Sequence, residues 1–399
     1  MNLLPISFLD ELVAIRRDLH AHPELAFQEI RTADIVAHEL RSYGLEVHCG
    51  FAGTGVVGVW RKGRNPRAIG LRADMDALPL LEKNTFDYCS KHVERMHACG
   101  HDGHTTMLLG AARYLAENHD DCDFDGTVFF IFQPAEESES GSLGGANAMI
   151  RQGLFQKFPM EAIFGLHNWP GIPLGEIVVM PGPIMAGTCI FEINVHGQGS
   201  HAAMPHQGVD TLVAASHLVL GLQTIIARDV NPCEAAVVSV TQIHGGEAFN
   251  VIPDDAVLRG TIRYFKQEIL TLVEESIRRI CSGTESMFGV SIEITFNPRY
   301  PPTVNCMEKA KICREVGIAL VGEERVRGNE LPSMGAEDFS YFLKEKPGCY
   351  IWLGNGAGTS GEGACVLHNP RYDFNDGLLG LGVSYWVRLI ESYLRECSG

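Results

Sequence analysis

Short apolar runs alternate with helical segments along most of this chain, and between about residues 184 and 298 the alternation gives way to a different order. Apolar residues at helical spacing (Phe8, Leu12, Ile15, Leu19) predict a helix over 8–20, and a second helix over 28–43 stops at Gly44. Strand-like runs follow at 55–60 and 68–73, joined by the turn-rich Lys62-Gly-Arg-Asn-Pro66. A helix over 105–117, an apolar run at 127–132, a helix over 145–152 and a run at 162–166 continue the alternation, and a helix over 308–320 resumes it. The runs are nearly continuous in apolar residues, as strands covered on both faces must be. The expected fold class is therefore α/β, a mixed, mostly parallel sheet covered by helices. The middle block reads strand 188–195, helix 209–227, strands 235–243 and 256–264, helix 267–288, strand 290–296. That β-α-β-β-α-β order predicts an inserted ferredoxin-like α+β domain at 184–298, splitting a catalytic domain made of 1–183 plus 299–399.

Charge and cysteine usage narrow the function classes. With 32 basic against 49 acidic residues the net charge is −17, which disfavours a nucleic-acid or membrane-surface partner. The 12 cysteines are scattered from Cys49 to Cys397 with no C-x-x-C, the usage of reduced, buried thiols. The first 18 residues lack a basic segment followed by an apolar stretch, because Asp10 and Glu11 interrupt it, so no signal peptide is expected. No apolar run approaches the ~18 residues of a membrane helix. The expectation is a cytoplasmic protein.

The densest chemical signal is Met96-His-Ala-Cys-Gly-His-Asp-Gly-His104, just ahead of a predicted helix. Thiolate and imidazole are preferred zinc ligands, and Gly100 and Gly103 let the backbone bend so that side chains converge. A bare helix start with a capping Asp would also account for part of it. In Phe132-Gln-Pro-Ala-Glu-Glu137 two adjacent carboxylates follow a strand, the edge at which α/β sheets place their sites. One can ligate a metal while the other handles the proton of a water; a solvated acidic loop, with Glu139 next, is the plainer alternative. His167 ends another strand, His368 follows the glycine-rich stretch 354–363, and Asp74 and Asp76 follow 68–73. That stretch lacks the Lys-Ser/Thr of a phosphate loop and reads as a surface loop. Each signal is weak alone, yet Asp74, Cys99, His101, Glu136, Glu137, His167 and His368 mostly fall after strands of one sheet. They are too many for one tetrahedral ion, so two metal ions sharing a water is the simplest reading.

These residues, with Arg16-Arg-Asp-Leu-His-Ala-His-Pro-Glu24, Gly70-Leu-Arg-Ala-Asp-Met-Asp-Ala-Leu-Pro79, Gly197-Gln-Gly-Ser-His-Ala-Ala-Met-Pro-His206, Met334-Gly-Ala-Glu-Asp-Phe339 and Leu367-His-Asn-Pro370, resemble the dinuclear-metal N-acyl-amino-acid amidohydrolases. That is the hippuricase and aminoacylase-like branch related to dinuclear-zinc carboxypeptidases and dipeptidases, and the resemblance spans nearly the whole chain. It implies Cys99, His101, Glu137, His167 and His368 as metal ligands, Cys99 bridging, with Glu136 as general base on a metal-bridging water. It implies two divalent ions per subunit, zinc, manganese, cobalt or nickel, and an N-acyl amino acid as substrate. The inserted domain would pair subunits into a homodimer or homotetramer and send His201 to the partner's active site to hold the oxyanion. Asn250 and Arg263 would grip the substrate's carbonyl and α-carboxylate, and Asp76 would orient a ligand. The peptidase branch has a histidine where this chain has Asp74 and an aspartate where it has Cys99, so the match is to the amidohydrolase branch.

Three other readings compete. The same site could cleave dipeptides or act as a carboxypeptidase. A non-catalytic metal-stabilised binding protein would need ligands but no spare base, which Glu136 beside Glu137 disfavours. A thiol hydrolase with Cys99 as nucleophile and His101 as base would leave the other ligands unexplained.

Overall fold

The computed structural model describes residues 4–138, 144–357 and 365–395. It divides into two compact units, one of Met1–Ile184, Val304–Leu331 and Asp338–Gly399, the other of Met185–Thr303 with Pro332–Glu337.

The larger unit is built on an eight-stranded sheet. In spatial order its strands are Glu46–Phe51, Gly55–Lys62, Gly126–Gln133, Ala68–Asp74, Ala162–Pro170, Gly348–Gly356, Ile177–Val178 and Val326–Arg327. The four central strands run parallel, and antiparallel pairings occur only to either side of them. Gly126–Gln133 and Ala68–Asp74 are buried at every position, as their largely apolar character predicts, and Arg72, Asp74 and Gln133 are buried with them. Helices Ile6–Ala21, His101–Glu117 and Leu379–Leu394 pack together beside the sheet, where Leu12, Met107, Leu108, Val383 and Trp386 share one core. Because the central strands are parallel, their C-terminal ends share one edge. The segments carrying Asp74, Asp76, Glu136, Glu137 and His167 all emerge there.

Two elements differ from the sequence reading. The third helix starts at His101 rather than near 105, so the histidine cluster forms its first turn. His101, Asp102 and His104 are buried polar residues, and they hide the apolar periodicity that would mark those positions as helical. Gly348–Gly356 is a central strand, although glycines at both ends disguise it and its last residues read as loop in the sequence. Residues 358–363 of that loop, together with Glu139 and Cys397, lie outside the described residues.

The second unit carries a four-stranded antiparallel sheet ordered Ala236–His244, Asp255–Tyr264, Gly187–His196, Ser291–Pro298. Helices Thr211–Thr224 and Gln267–Phe288 share its core, which completes a ferredoxin-like β-α-β-β-α-β arrangement. Burial alternates along Asp255–Tyr264, so the sheet presents one face to that core. Asp210 starts the first helix by accepting from the main-chain N–H groups of Leu212 and Val213. With its last turn this helix runs Thr211–Asp229, long and apolar enough by composition to cross a membrane. The sequence shows no unbroken apolar run there, because His217, Gln223 and Arg228 interrupt it. Its Ala214, Ala215, Leu218 and Leu222 pack into the unit's core.

Candidate metal centre

Gly100 sits at φ +95°, immediately before the helix His101–Glu117, and turns the chain so that Cys99 and His101 face one space. A Cβ at this position would lie 2.6 Å from the Tyr372 hydroxyl and would overlap Asn168 Oδ1, so only glycine fits. Cys99, His101 and His167 each offer a ligand atom within 4.8 Å of the others, as do Cys99, Glu137 and His368, and His101, Glu136 and Glu137. The three groups overlap, so one sulfur, three imidazoles and two carboxylates surround a common volume. Cys99, His101 and Glu137 each belong to two of these groups.

Hydrogen bonds fix how the imidazoles point. His101 Nδ1 lies 2.9 Å from the Asp76 carbonyl oxygen, which can only accept, so Nδ1 carries the proton. Its Nε2 is then the atom turned to the shared volume, and it is buried with no hydrogen-bond partner among the described residues. A buried ring nitrogen without a hydrogen-bond partner, set among a cysteine, imidazoles and carboxylates, fits a cation site, because thiolate, imidazole and carboxylate are the donors a zinc-like ion takes. His167 is oriented the same way. Its Nδ1 donates to the Asn168 carbonyl oxygen at 2.6 Å, leaving Nε2 3.3 Å from Cys99 Sγ. Asp76 also accepts from the Glu137 main-chain N–H at 2.8 Å, so one residue steadies two candidate ligands. His368 Nε2 lies 2.8 Å from Glu137 Oε1, and His368 holds φ +62°, a conformation in which non-glycine residues are strained.

Charges in this volume are arranged to receive cations. Burial first, then Glu137, Glu136 and Asp74, push the Cys99 thiol well up. Burial pulls His101 down, but Asp74 and Asp76 outweigh it and raise the imidazole to about 10. His167 is depressed by burial and by His104. Glu137 is lowered despite burial, chiefly through its bond to His368. A thiol nucleophile needs a depressed pKa beside a protonated base. The Cys99 thiol is pushed the other way by burial and the neighbouring carboxylates, which argues against the thiol-hydrolase reading with His101 as base.

Asp74, one of the converging residues, is committed elsewhere. It takes Arg72 Nη1 at 2.7 Å and His104 Nδ1 at 2.7 Å, and lies 3.7 Å from His101 Nε2. His104 has its second nitrogen engaged too, accepting from the Asn168 main-chain N–H at 3.0 Å, so of the two histidines in the first helical turn only His101 keeps a nitrogen without a bond. Sequence reasoning passed over Arg72, whose signal was available: an arginine inside a run of otherwise apolar residues. Fully buried, it ties Asp74 to Gln133 and Asp338.

The three remaining candidates lie in the second unit. His201 is exposed on the ribbon Ser200–His201, paired with Val251–Ile252, and the Asn250 carbonyl accepts from the Ala202 N–H at 3.0 Å, so His201 and Asn250 are neighbours. Arg263 is not near them. It lies at the far end of Asp255–Tyr264, eight residues or roughly 26 Å along the strand from Asp255. Arg263 is half-buried with no carboxylate partner among the described residues, and burial lowers its pKa.

Residues 70–392 match the family model described as Peptidase family M20/M25/M40. The chain belongs to this family. It is an amidohydrolase, and the family's relatives differ in what they cleave. It is 42% identical over 397 residues to a hippurate hydrolase of Campylobacter jejuni, covering 99% of this chain and all of that one. It is 38% identical to thermostable carboxypeptidase 1 of Saccharolobus solfataricus, covering 94% and 93%. Among solved structures it matches a dinuclear metal-binding peptidase of the M20 family from Bacillus subtilis with a TM-score of 0.84 and 33% identity, over 98% and 99% of the two chains.

Proposed function

We propose that this amidohydrolase cleaves the amide bond of N-acyl-L-amino acids, of N-acetyl or N-benzoyl type, to a carboxylic acid and a free amino acid. The observation that carries the proposal is the overlap of three donor groups around the unpartnered His101 Nε2, with two adjacent carboxylates, Glu136 and Glu137, placed against it. Cys99, His101, Glu137, His167 and His368 would hold two divalent ions, zinc, manganese, cobalt or nickel, with Cys99 shared between them. When bound, the ions supply Lewis-acid polarisation of the amide carbonyl and acidify a water. Glu136 takes the proton of the attacking water and hands it to the leaving nitrogen, which departs as an amine. Asp76 keeps His101 and Glu137 in register during this exchange.

Arg263 is suited to the α-carboxylate. A half-buried guanidinium without a carboxylate of its own gains most from an anionic ligand, and a protein of net charge −17 needs such a local cation to recruit one. His201, on the ribbon beside Asn250, would reach a partner subunit's active site and help hold the oxyanion, with Asn250 and Arg263 gripping the substrate's carbonyl and α-carboxylate. The unpaired edge of Ala236–His244 and the exposed Val213 and Leu220 offer the pairing surface for a homodimer or homotetramer. Light scattering on the eluted protein checks that assembly.

A carboxypeptidase reading is favoured by the likeness to thermostable carboxypeptidases and to an M20 peptidase. Free-amine release from N-acetyl and N-benzoyl amino acids, run beside dipeptides with chelated enzyme and each metal restored, separates the two. Cleavage chiefly of acylated substrates is expected; cleavage chiefly of dipeptides would move the chain to the peptidase reading. The described cysteines are all free, which supports a cytoplasmic setting.

A further inference from the structure

Glu29 is a buried carboxylate with no cationic partner among the described residues. It stands at the start of helix Ile30–Ser42, yet its side chain does not cap that helix. Instead Oε1 accepts two main-chain N–H groups, from Phe27 at 3.0 Å and from Ala135 at 2.8 Å, while Oε2 accepts from Thr54 Oγ1 at 2.6 Å. The two residues on Oε1 share a rare property. Phe27 has φ +62° and Ala135 has φ +54°, both in the left-handed region that side chains avoid. Ala135 immediately precedes Glu136.

Burying an unpaired carboxyl is costly, so its retention calls for a reason. Burial, followed by Asp76, raises Glu29 to about 7. The surroundings of Ala135 supply a reason. Its carbonyl oxygen accepts from the Gly145 N–H at 2.9 Å, and a Cβ on Gly145 would overlap the Pro134 carbonyl, so the turn is closely packed on that side. On the other side the Glu137 N–H is taken by Asp76. Glu29 ties Ala135 itself, the residue of the turn at positive φ.

We infer that Glu29 is a positioning residue that holds Ala135 in its left-handed conformation and so aims the Glu136 carboxylate at the reacting water. The inference rests on Glu136 acting as the base. A glycine at 135 adopts the same conformation without strain, so it should lessen the need for Glu29. Glu29→Gln keeps a carbonyl oxygen for both N–H groups and should serve nearly as well.

The test uses the full-length, metal-loaded protein and whichever amide substrate the wild type cleaves, N-acyl amino acid or dipeptide. Glu29→Ala should lower kcat about 100-fold, the loss that follows a misplacement of about 1 Å, while KM and metal stoichiometry hold. Glu29→Gln should stay within about tenfold of wild type, and adding Ala135→Gly to Glu29→Ala should recover about tenfold or more. If Glu29→Ala does not fold, Glu29→Asp, whose carboxyl falls one methylene short of Ala135, takes its place. A crystal structure of the variant without metal reads the geometry independently of activity: Ala135 should leave positive φ. The inference is overturned if Glu29→Ala stays within about threefold of wild type, if neither glycine at 135 nor glutamine at 29 restores turnover, or if Ala135 keeps positive φ. A wild type that cleaves neither substrate class would defeat the proposed function, while the crystallographic comparison would still decide the role of Glu29.

Discussion

Replacing Gly100 by alanine tests the local construction of the site with one methyl group. The backbone at φ +95° lies where an L-residue pays roughly 1–2 kcal/mol. The added Cβ would stand 2.6 Å from the Tyr372 hydroxyl and overlap Asn168 Oδ1, forcing two buried side chains apart. Overpacking of that kind costs about 1–3 kcal/mol. Asn168 Nδ2 donates to Tyr372 at 2.5 Å, and losing that bond adds about 1 kcal/mol. The sum is roughly 3–6 kcal/mol, to be read from urea unfolding of chelated protein so that metal binding does not contribute. Because Gly100 joins Cys99 to His101, the fraction that remains folded should also lose at least about 100-fold in kcat. A loss of stability under about 1 kcal/mol with kcat intact would show that the tight turn at Gly100 neither strains the backbone nor sets the position of the two donors.

Other perturbations follow from the same geometry. Glu136→Gln should reduce kcat by about 100-fold or more with metal content nearly unchanged by elemental analysis, and retention of a tenth of wild-type turnover would contradict its role as base. Cys99→Ala should lose metal, so an unaltered stoichiometry would remove Cys99 from the ligand set. Arg263→Ala should raise KM for N-acyl amino acids well beyond its effect on the matching amides, and equal effects would show that it does not hold the carboxylate. His20 gives a pH signature. Burial and Arg16 disfavour its charge, but hydrogen bonds to Asp102 and Glu82 prevail and raise it to about 9 from 6.5. Its charged form therefore contributes about 3 kcal/mol that is complete below pH ~6.5 and lost as pH rises through ~9. The stability gap between wild type and His20→Gln should shrink by that amount from pH 6 to pH 10, and a constant gap would disprove the linkage.

The candidate ligands were legible because Glu137 and His167 follow apolar strands while Cys99 and His101 crowd into one short polar run before a helix. The antiparallel middle block was legible for a related reason, since its half-buried strands and long amphipathic helix keep their periods. What escaped was set by contacts remote in sequence. Arg72 meets Asp338 and Glu29 meets Ala135 only after folding, and no spacing announces either pair. The first turn of the His101 helix was hidden because the site itself requires polar residues on a buried face. Gly348–Gly356 was missed because its terminal glycines, needed where the chain passes close to the Ile163 and Pro173 carbonyls, look like loop residues. Arg263 could be named from sequence, but its distance from His201 and Asn250 follows from the strand register alone.

The most direct test is a metal titration of chelated, full-length enzyme against N-acyl amino acid hydrolysis. Turnover should be absent at the start, rise with each addition of zinc, manganese or cobalt that the site accepts, and reach its plateau at two equivalents per chain. Full activity in the presence of chelator, or a plateau at one equivalent, would contradict a two-metal centre built on Cys99, His101, Glu137, His167 and His368.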